Sequence, residues 1–151
     1  MNDPGPRFRD IFFEVYENLP RQGPGNRACA ARALALCDEL PESPLILDMG
    51  CGVGGQTLYL AELTSGSIRA IDSHGPSIER LQATVAERGL SQRLSAIVGD
   101  MACPGQGVER FDLVWSEGAL YSIGLRKALQ VCRFTEYIWN ENMDEDPFSM
   151  T

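Results

Sequence analysis

Positive charge is scarce in this chain: 13 Lys and Arg stand against 21 Asp and Glu, a net charge of −8. Binding to nucleic acid regardless of base sequence relies on Lys and Arg against phosphate, so no nucleic-acid partner is expected. Histidine is scarcer still, with His74 alone. The five cysteines, Cys29, Cys37, Cys51, Cys103 and Cys132, include no C-x-x-C pair. A structural zinc site needs a full set of such ligands at set spacings and is not expected. The thiols read as reduced, those of a cytoplasmic protein. No apolar run approaches the ~20 residues of a membrane span, so no membrane partner is expected. The opening MNDPGPRFRD lacks the apolar core of a signal peptide. The closing NENMDEDPFSMT is acidic but lacks the glycine and distal glutamate of a calcium loop, and no metal is expected there.

What is present is the composition of a globular domain: 44 % hydrophobic and 23 % charged over 151 residues, enough for one core. In FRDIFFEVYENL (8–19), Phe8, Ile11, Phe12, Val15, Tyr16 and Leu19 fall on one face of an amphipathic helix. PRQGPG breaks it. Asn26 caps a second helix with Cys29, Ala33, Leu36, Cys37 and Leu40 on one face, and Pro41 stops it. From residue 45 the texture alternates. LILDM (45–49) reads as a buried parallel strand and QTLYLAEL as a short helix. SIRAID (67–72) is a strand, followed by a helix opening at Gly75 and Pro76, with Ile78, Leu81, Val85 and Ala86 inward and Gly89 at its end. LSAIVGD (94–100) and FDLVWSEG (111–118) are further strands, and GLRKALQVCR (124–133) is a helix. This order predicts the α/β class: a Rossmann-like open parallel sheet with helices on both faces, preceded by two N-terminal helices. A single domain is expected over 1–151, with a helical cap at 1–41, a core at 42–140 and an acidic tail at 141–151.

The stretch LDMGCGVGGQT (47–57) carries the chemistry. A Walker phosphate loop needs a lysine after its glycines, and none follows here. The dinucleotide pattern G-x-G-x-x-G does match, through Gly50, Gly52 and Gly55, with the acidic Asp72 ending the next strand. A nicotinamide-dependent oxidoreductase is therefore one reading. Asp48 weighs against it. A pyrophosphate on a helix N-terminus is an anion, and a carboxylate two residues before the first glycine would repel it. A ligand bearing an ammonium and a sulfonium, and no phosphate, would be attracted.

The segment 45–124 resembles a class I S-adenosylmethionine-dependent methyltransferase, with four motifs in order: LDMGCGVGG, AIDSH, VGDM and FDLVWSEGALYSIG. The resemblance implies S-adenosylmethionine as cofactor, S-adenosylhomocysteine as product and a small molecule as methyl acceptor. It implies Asp48 near the methionine ammonium, with Gly50, Cys51, Gly52, Gly54, Gln56 and Thr57 forming the loop. Asp72, followed by Ser73, would take the ribose hydroxyls. Asp100 would take the adenine amino group and the Met101 backbone N–H the ring. Ser116 and Glu117 would lie at the mouth of the fourth strand. The LPRQGPG segment resembles that of small-molecule methyltransferases, where it folds over the cofactor, and Arg21 and Gln22 could reach the cofactor carboxylate. Plainer roles stay open beside these: Asp72 as a helix cap, Asp100 as a turn residue, Tyr121 as packing, Cys51 as a small filler and His74 as an exposed loop residue.

Glu117 is the candidate base for an acceptor that must lose a proton, or else orients the substrate or the cofactor's methionine end. Tyr121 is the candidate for the substrate pocket. The C-terminal part departs from the family. FTEYIW (134–139) resembles a fifth strand but follows Arg133 without turn residues, where such connections take ~2–6 residues. The sixth and seventh strands are absent. An open sheet edge at the fourth or fifth strand predicts pairing into a homodimer. A truncated, non-catalytic cofactor-binding module is the remaining alternative.

Overall fold

In the computed structural model, which describes residues 6–16, 18–103 and 111–132, the run LILDM becomes the central strand β1 (Leu45–Met49). It pairs in parallel with β2 (Ser67–Asp72) on one side and β4 (Leu113–Trp115) on the other. The strand β3 (Leu94–Val98) pairs in parallel with β2, giving the order β3-β2-β1-β4. Every residue of β1 after Leu45 is buried, as expected of a strand covered on both faces.

The period-two alternation of β1 divides the core in two. Ile46 packs with Ile68 and Ala70 beneath the helices α3 (Gly55–Leu63) and α4 (Gly75–Glu87), which contribute Leu60, Ile78, Leu81 and Val85. Leu47 and Met49 face the other way, with Ile71, Phe111 and Val131 of the helix α5 (Leu125–Cys132). Burying one such aliphatic side chain contributes about 1.5–3 kcal/mol, so these two layers hold the sheet together. The α/β sheet with helices on both faces is as the sequence pattern predicts. FTEYIW and the acidic tail lie outside the described residues.

The chain crosses from β3 back to β4 on the far side of β1. In open α/β sheets ligands bind at such a switch point, beyond the carboxyl ends of the strands. The loops after β1, β2 and β4 meet there.

The two N-terminal helices differ from expectation. α1 (Pro6–Tyr16) stops short of Leu19. Its apolar stripe is covered only in part: Phe8 is 56 %, Ile11 51 % and Val15 59 % exposed, whereas Phe12 and Tyr16 line the cavity described below. Phe13, which lies off that stripe, is half-buried and stacks on His74 with 3.9 Å between ring centroids. The docking surface for α1 is an imidazole at the carboxyl end of β2, so the helix turns its Phe12–Phe13–Tyr16 side inward. α2 (Arg27–Leu34) starts as predicted, with the Asn26 side chain accepting from the Cys29 N–H at 3.0 Å. It ends well before Leu40, because the N–H groups of Leu36 and Cys37 reach back only three residues, to Ala33 and Leu34. Leu36 is thereby left outside.

Gly66, in the turn from α3 to β2, lies directly against the Pro44 backbone; a β-carbon there would collide with the Pro44 carbonyl oxygen and nitrogen. Backbone cannot swing aside as a side chain can. Gly66→Ala is expected to lower the unfolding free energy by about 1–3 kcal/mol, read as a reduced urea midpoint at unchanged slope.

Candidate functional site

β1 runs directly into the glycine loop. Gly50, Gly52 and Gly54 all adopt positive φ (73°, 54° and 83°), a region where a side chain is strained. The N–H groups of Gly50 and Cys51 both donate to the Ile71 carbonyl, at 2.9 and 3.1 Å, which pins the loop to the end of β2. A β-carbon at Gly50 would strike that of Ala119, and one at Gly52 would strike Gln22 Oε1. Two loops from distant parts of the chain thus close onto the glycines.

Gln22 makes this closure. Its Oε1 accepts from the Val53 N–H at 3.2 Å, and its Nε2 donates to the Tyr16 carbonyl at 2.9 Å. One side chain therefore joins the end of α1 to the glycine loop. Arg21, next to it, donates through Nη2 to Glu117 Oε2 at 2.6 Å and through Nε to the Gly23 carbonyl at 3.1 Å. Its guanidinium also lies 5.3 Å from the centre of the Tyr59 ring. The other oxygen of Glu117 accepts from Trp115 Nε1 at 3.2 Å. Arg21 Nη1 is buried without a hydrogen-bond partner.

Three carboxylates surround the loop. Asp48 is fully buried beneath it; Oδ2 accepts from the Thr57 hydroxyl at 2.6 Å, and Oδ1 has no partner. Burial pushes its carboxyl from 3.8 up to about 7. The Thr57 hydroxyl offsets part of that, while the negative charges of Glu117 and Asp72 add to it. Asp72 accepts from the Gly52 N–H at 2.8 Å and from the His74 N–H at 2.9 Å. Cys51 is buried against this group, and desolvation with the charges of Asp48 and Asp72 pushes its thiol far up. It stands as an inert thiol packed under the loop.

These groups frame a cavity of about 520 Å³ at the carboxyl ends of β1, β2 and β4. Of the residues singled out from the sequence, Arg21, Gln22, Gly50, Cys51, Gly52, Gln56, Asp72, His74, Met101, Glu117 and Tyr121 line it. Asp48, Gly54 and Thr57 lie behind the loop, all buried. Ser116 ties the end of β4 to β1 by donating to the Met49 carbonyl at 2.8 Å. Ser73 is exposed beyond the cavity wall. Asp100 is also exposed, its Oδ1 accepting from the Ala102 N–H at 2.8 Å in the turn that presents Met101. Tyr121 stands at the rim, 73 % exposed.

The sequence reading missed the aromatic wall. Phe12, Phe13 and Tyr16 line the cavity, with Phe12 and Tyr16 stacked at 4.3 Å. His74 is no exposed loop residue: it is half-buried between Phe13 and Ser77, with Nδ1 2.9 Å from the Ser77 hydroxyl. The clustering FFEVY was visible, but helical periodicity assigns a face and not the surface it meets. Among the described residues, no group of three or more His, Cys, Asp or Glu could hold a metal ion, and no helix is long and apolar enough to cross a membrane.

The position of Asp48 has a consequence for stability. Its carboxyl holds a proton more tightly folded than unfolded, so its contribution is fully present below pH 3.8 and is lost as pH rises to about 7. Asp48→Asn removes this dependence. The unfolding free energies of the two proteins, measured by denaturant titration at about pH 5 and about pH 8, on either side of the raised Asp48 value, should diverge in favour of the variant at the higher pH. A difference on the order of a few kcal/mol is expected.

Comparison with known proteins agrees with this architecture. The profile of the methyltransferase domain family matches residues 46–134. The "Probable tocopherol O-methyltransferase, chloroplastic" of Oryza sativa subsp. japonica is 37 % identical over 83 residues, covering 54 % of this chain and 23 % of that protein. Ajmaline N-methyltransferase of Rauvolfia serpentina is 33 % identical over 100 residues, covering 61 % and 34 %. An S-adenosylmethionine-dependent methyltransferase from Geobacter sulfurreducens, solved with S-adenosylhomocysteine, superposes with a TM-score of 0.67 at 16 % identity, over 83 % of this chain and 50 % of that one. The chain thus spans about a quarter to a third of these curated relatives and half of the solved structure. With its glycine loop, its switch-point cavity and a profile match over more than half its length, the chain belongs to the methyltransferase domain family and has the class I S-adenosylmethionine-dependent fold.

Proposed function

We propose that this chain is the cofactor-binding part of an S-adenosylmethionine-dependent methyltransferase acting on a small molecule. The observation that carries the reading is the buried Asp48 under a lysine-free glycine loop, with one oxygen unpartnered and Asp72 on the adjoining wall. A pyrophosphate on this loop would lie over the buried Asp48 carboxyl, whereas Asp72 could serve the ribose of either ligand. A zwitterionic, sulfonium-bearing ligand meets complementary charge at both ends, because the unpartnered Nη1 of Arg21 offers a donor to its carboxylate. The relatives named for tocopherol and ajmaline act on small organic molecules, one through oxygen and one through nitrogen, which supports a small-molecule acceptor without choosing its atom.

When bound, S-adenosylmethionine supplies a methyl carbon already activated by its sulfonium, so the protein's part is placement and electrostatics. Asp72 would hold the ribose hydroxyls. Its two oxygens already accept one backbone N–H each, and the remaining lone pairs are available. Asp48 would balance the ammonium from behind the loop, steadied by Thr57, while Gln56 Nε2 braces the loop by donating to the Cys51 carbonyl. Met101, set by the Asp100 turn, would border the adenine. Tyr121, at the exposed rim, would border the acceptor, while Glu117 is held at both oxygens by Arg21 and Trp115.

Calorimetric titration of the whole chain with S-adenosylhomocysteine and with NAD tests this. Binding of the former and not of the latter is expected. Asp72→Ala should weaken S-adenosylhomocysteine about 10- to 100-fold, as for loss of charged hydrogen bonds. Binding of NAD in preference, or indifference to the Asp72 substitution, would refute the proposal.

A further inference from the structure

The ion pair between Arg21 and Glu117 bridges two walls of the cavity. The side chains are only 18 % and 16 % exposed, and the contact, at 2.6 Å, joins residues 96 positions apart. Room for it is reserved. Gly25 packs against the pair, and a β-carbon there would come within van der Waals distance of both Glu117 Oε2 and Arg21 Nη2. Three of the guanidinium's bonding directions differ in kind. Nε is committed to the Gly23 carbonyl, Nη2 to Glu117, and Nη1 is buried without a partner. A buried guanidinium N–H without an acceptor costs free energy that a second carboxylate would recover. Glu117 is held at both oxygens, by Arg21 and by Trp115 Nε1.

From this geometry we infer that Glu117 is an internal anion competing for Arg21 with the carboxylate of the bound ligand, so that the pair selects ligands by that carboxylate. The inference rests on the cofactor reading above. Glu117 keeps the guanidinium ordered inside the cavity and satisfies one of its donor edges. A ligand carboxylate that engages Arg21 through Nη1 either shares it with Glu117 at close like-charge distance or displaces Glu117 from it. In both cases the negative charge of Glu117 opposes binding of that carboxylate, and Arg21 rewards it. This is the opposite of what an attractive role toward the ligand ammonium requires. No bond is made or broken; the exchange is one of hydrogen bonds and charge.

The test compares two probes on the whole chain: S-adenosylhomocysteine, and its decarboxylated analogue, which keeps the ammonium and lacks the carboxylate. Calorimetry gives the affinity of each for the unaltered protein, Glu117→Gln and Arg21→Met, with thermal melting to show that the variants are folded. Glu117→Gln is expected to bind S-adenosylhomocysteine about 3- to 10-fold more tightly and the decarboxylated analogue about equally. Arg21→Met, which removes the donor, should erase the preference for the carboxylate-bearing probe. Weaker binding of both probes to Glu117→Gln would mean that Glu117 attracts the ammonium, and would overturn the inference while leaving the cofactor reading intact. An equal response of the two probes to either substitution would overturn it too. If neither probe binds the unaltered protein, the cofactor reading itself fails, and the exchange with it.

Discussion

A carboxylate held out of water at the second-last position of the central strand governs the rest of this site. Asp48 sits between β2 and β4 in the sheet register, opposite Ala70 and Trp115. Such a group is tolerated only with hydrogen bonds or a countercharge. The Thr57 hydroxyl, delivered by the first turns of α3, supplies one bond. That requires α3 to begin immediately after the loop, which in turn requires the loop to reverse within a few residues. Positive φ at three alternating glycines achieves the reversal. The loop's conformation, the start of α3 and the charge of the cavity are therefore one arrangement.

The N-terminal segment completes what the sheet begins. Without it the glycine loop would be an open surface, because β1 and β2 supply only its floor. Gln22 reaches the Val53 N–H, Arg21 reaches the far wall at Glu117, and Phe13 lies flat on His74. These contacts are polar or aromatic and few. Phe8, Ile11 and Val15 of α1 stay exposed, so among the described residues α1 is held by specific side chains, while α2 buries Ala30 and packs Leu34 onto the core. The hold on α1 is a weaker kind of attachment than the two buried layers flanking the sheet.

The core of this fold could be read directly. β1 and β2 fall where their apolar runs place them, and α4 buries Ile78, Leu81 and Val85 as its spacing foretells, while Ala86, expected on the same face, is exposed. These are local signals: the periodicity of a segment states which face of it can be covered. The site was legible in part. Asp72 ends β2 and lines the cavity, but Asp48 two residues before the loop lies behind it, since strand alternation turns it toward Thr57 and away from the opening. The Arg21–Glu117 pair and the Phe13–His74 stack were not legible as pairs. Each depends on which distant surface a segment lands on, and nothing in either segment alone encodes that choice.

The separation of Arg21 and Glu117 along the chain also bears on how the molecule is assembled. Contacts between distant residues incur loop-closure entropy before they return any stabilisation, and they tend to form late. The β1–β2–β3 unit with its helices can organise from neighbouring segments. The cavity comes into being only when both α1 and the loop after β4 have docked. Any ligand spanning its walls acts as a non-covalent crosslink between the N-terminal segment and the loop after β4, stabilising the docked state over every partly assembled one.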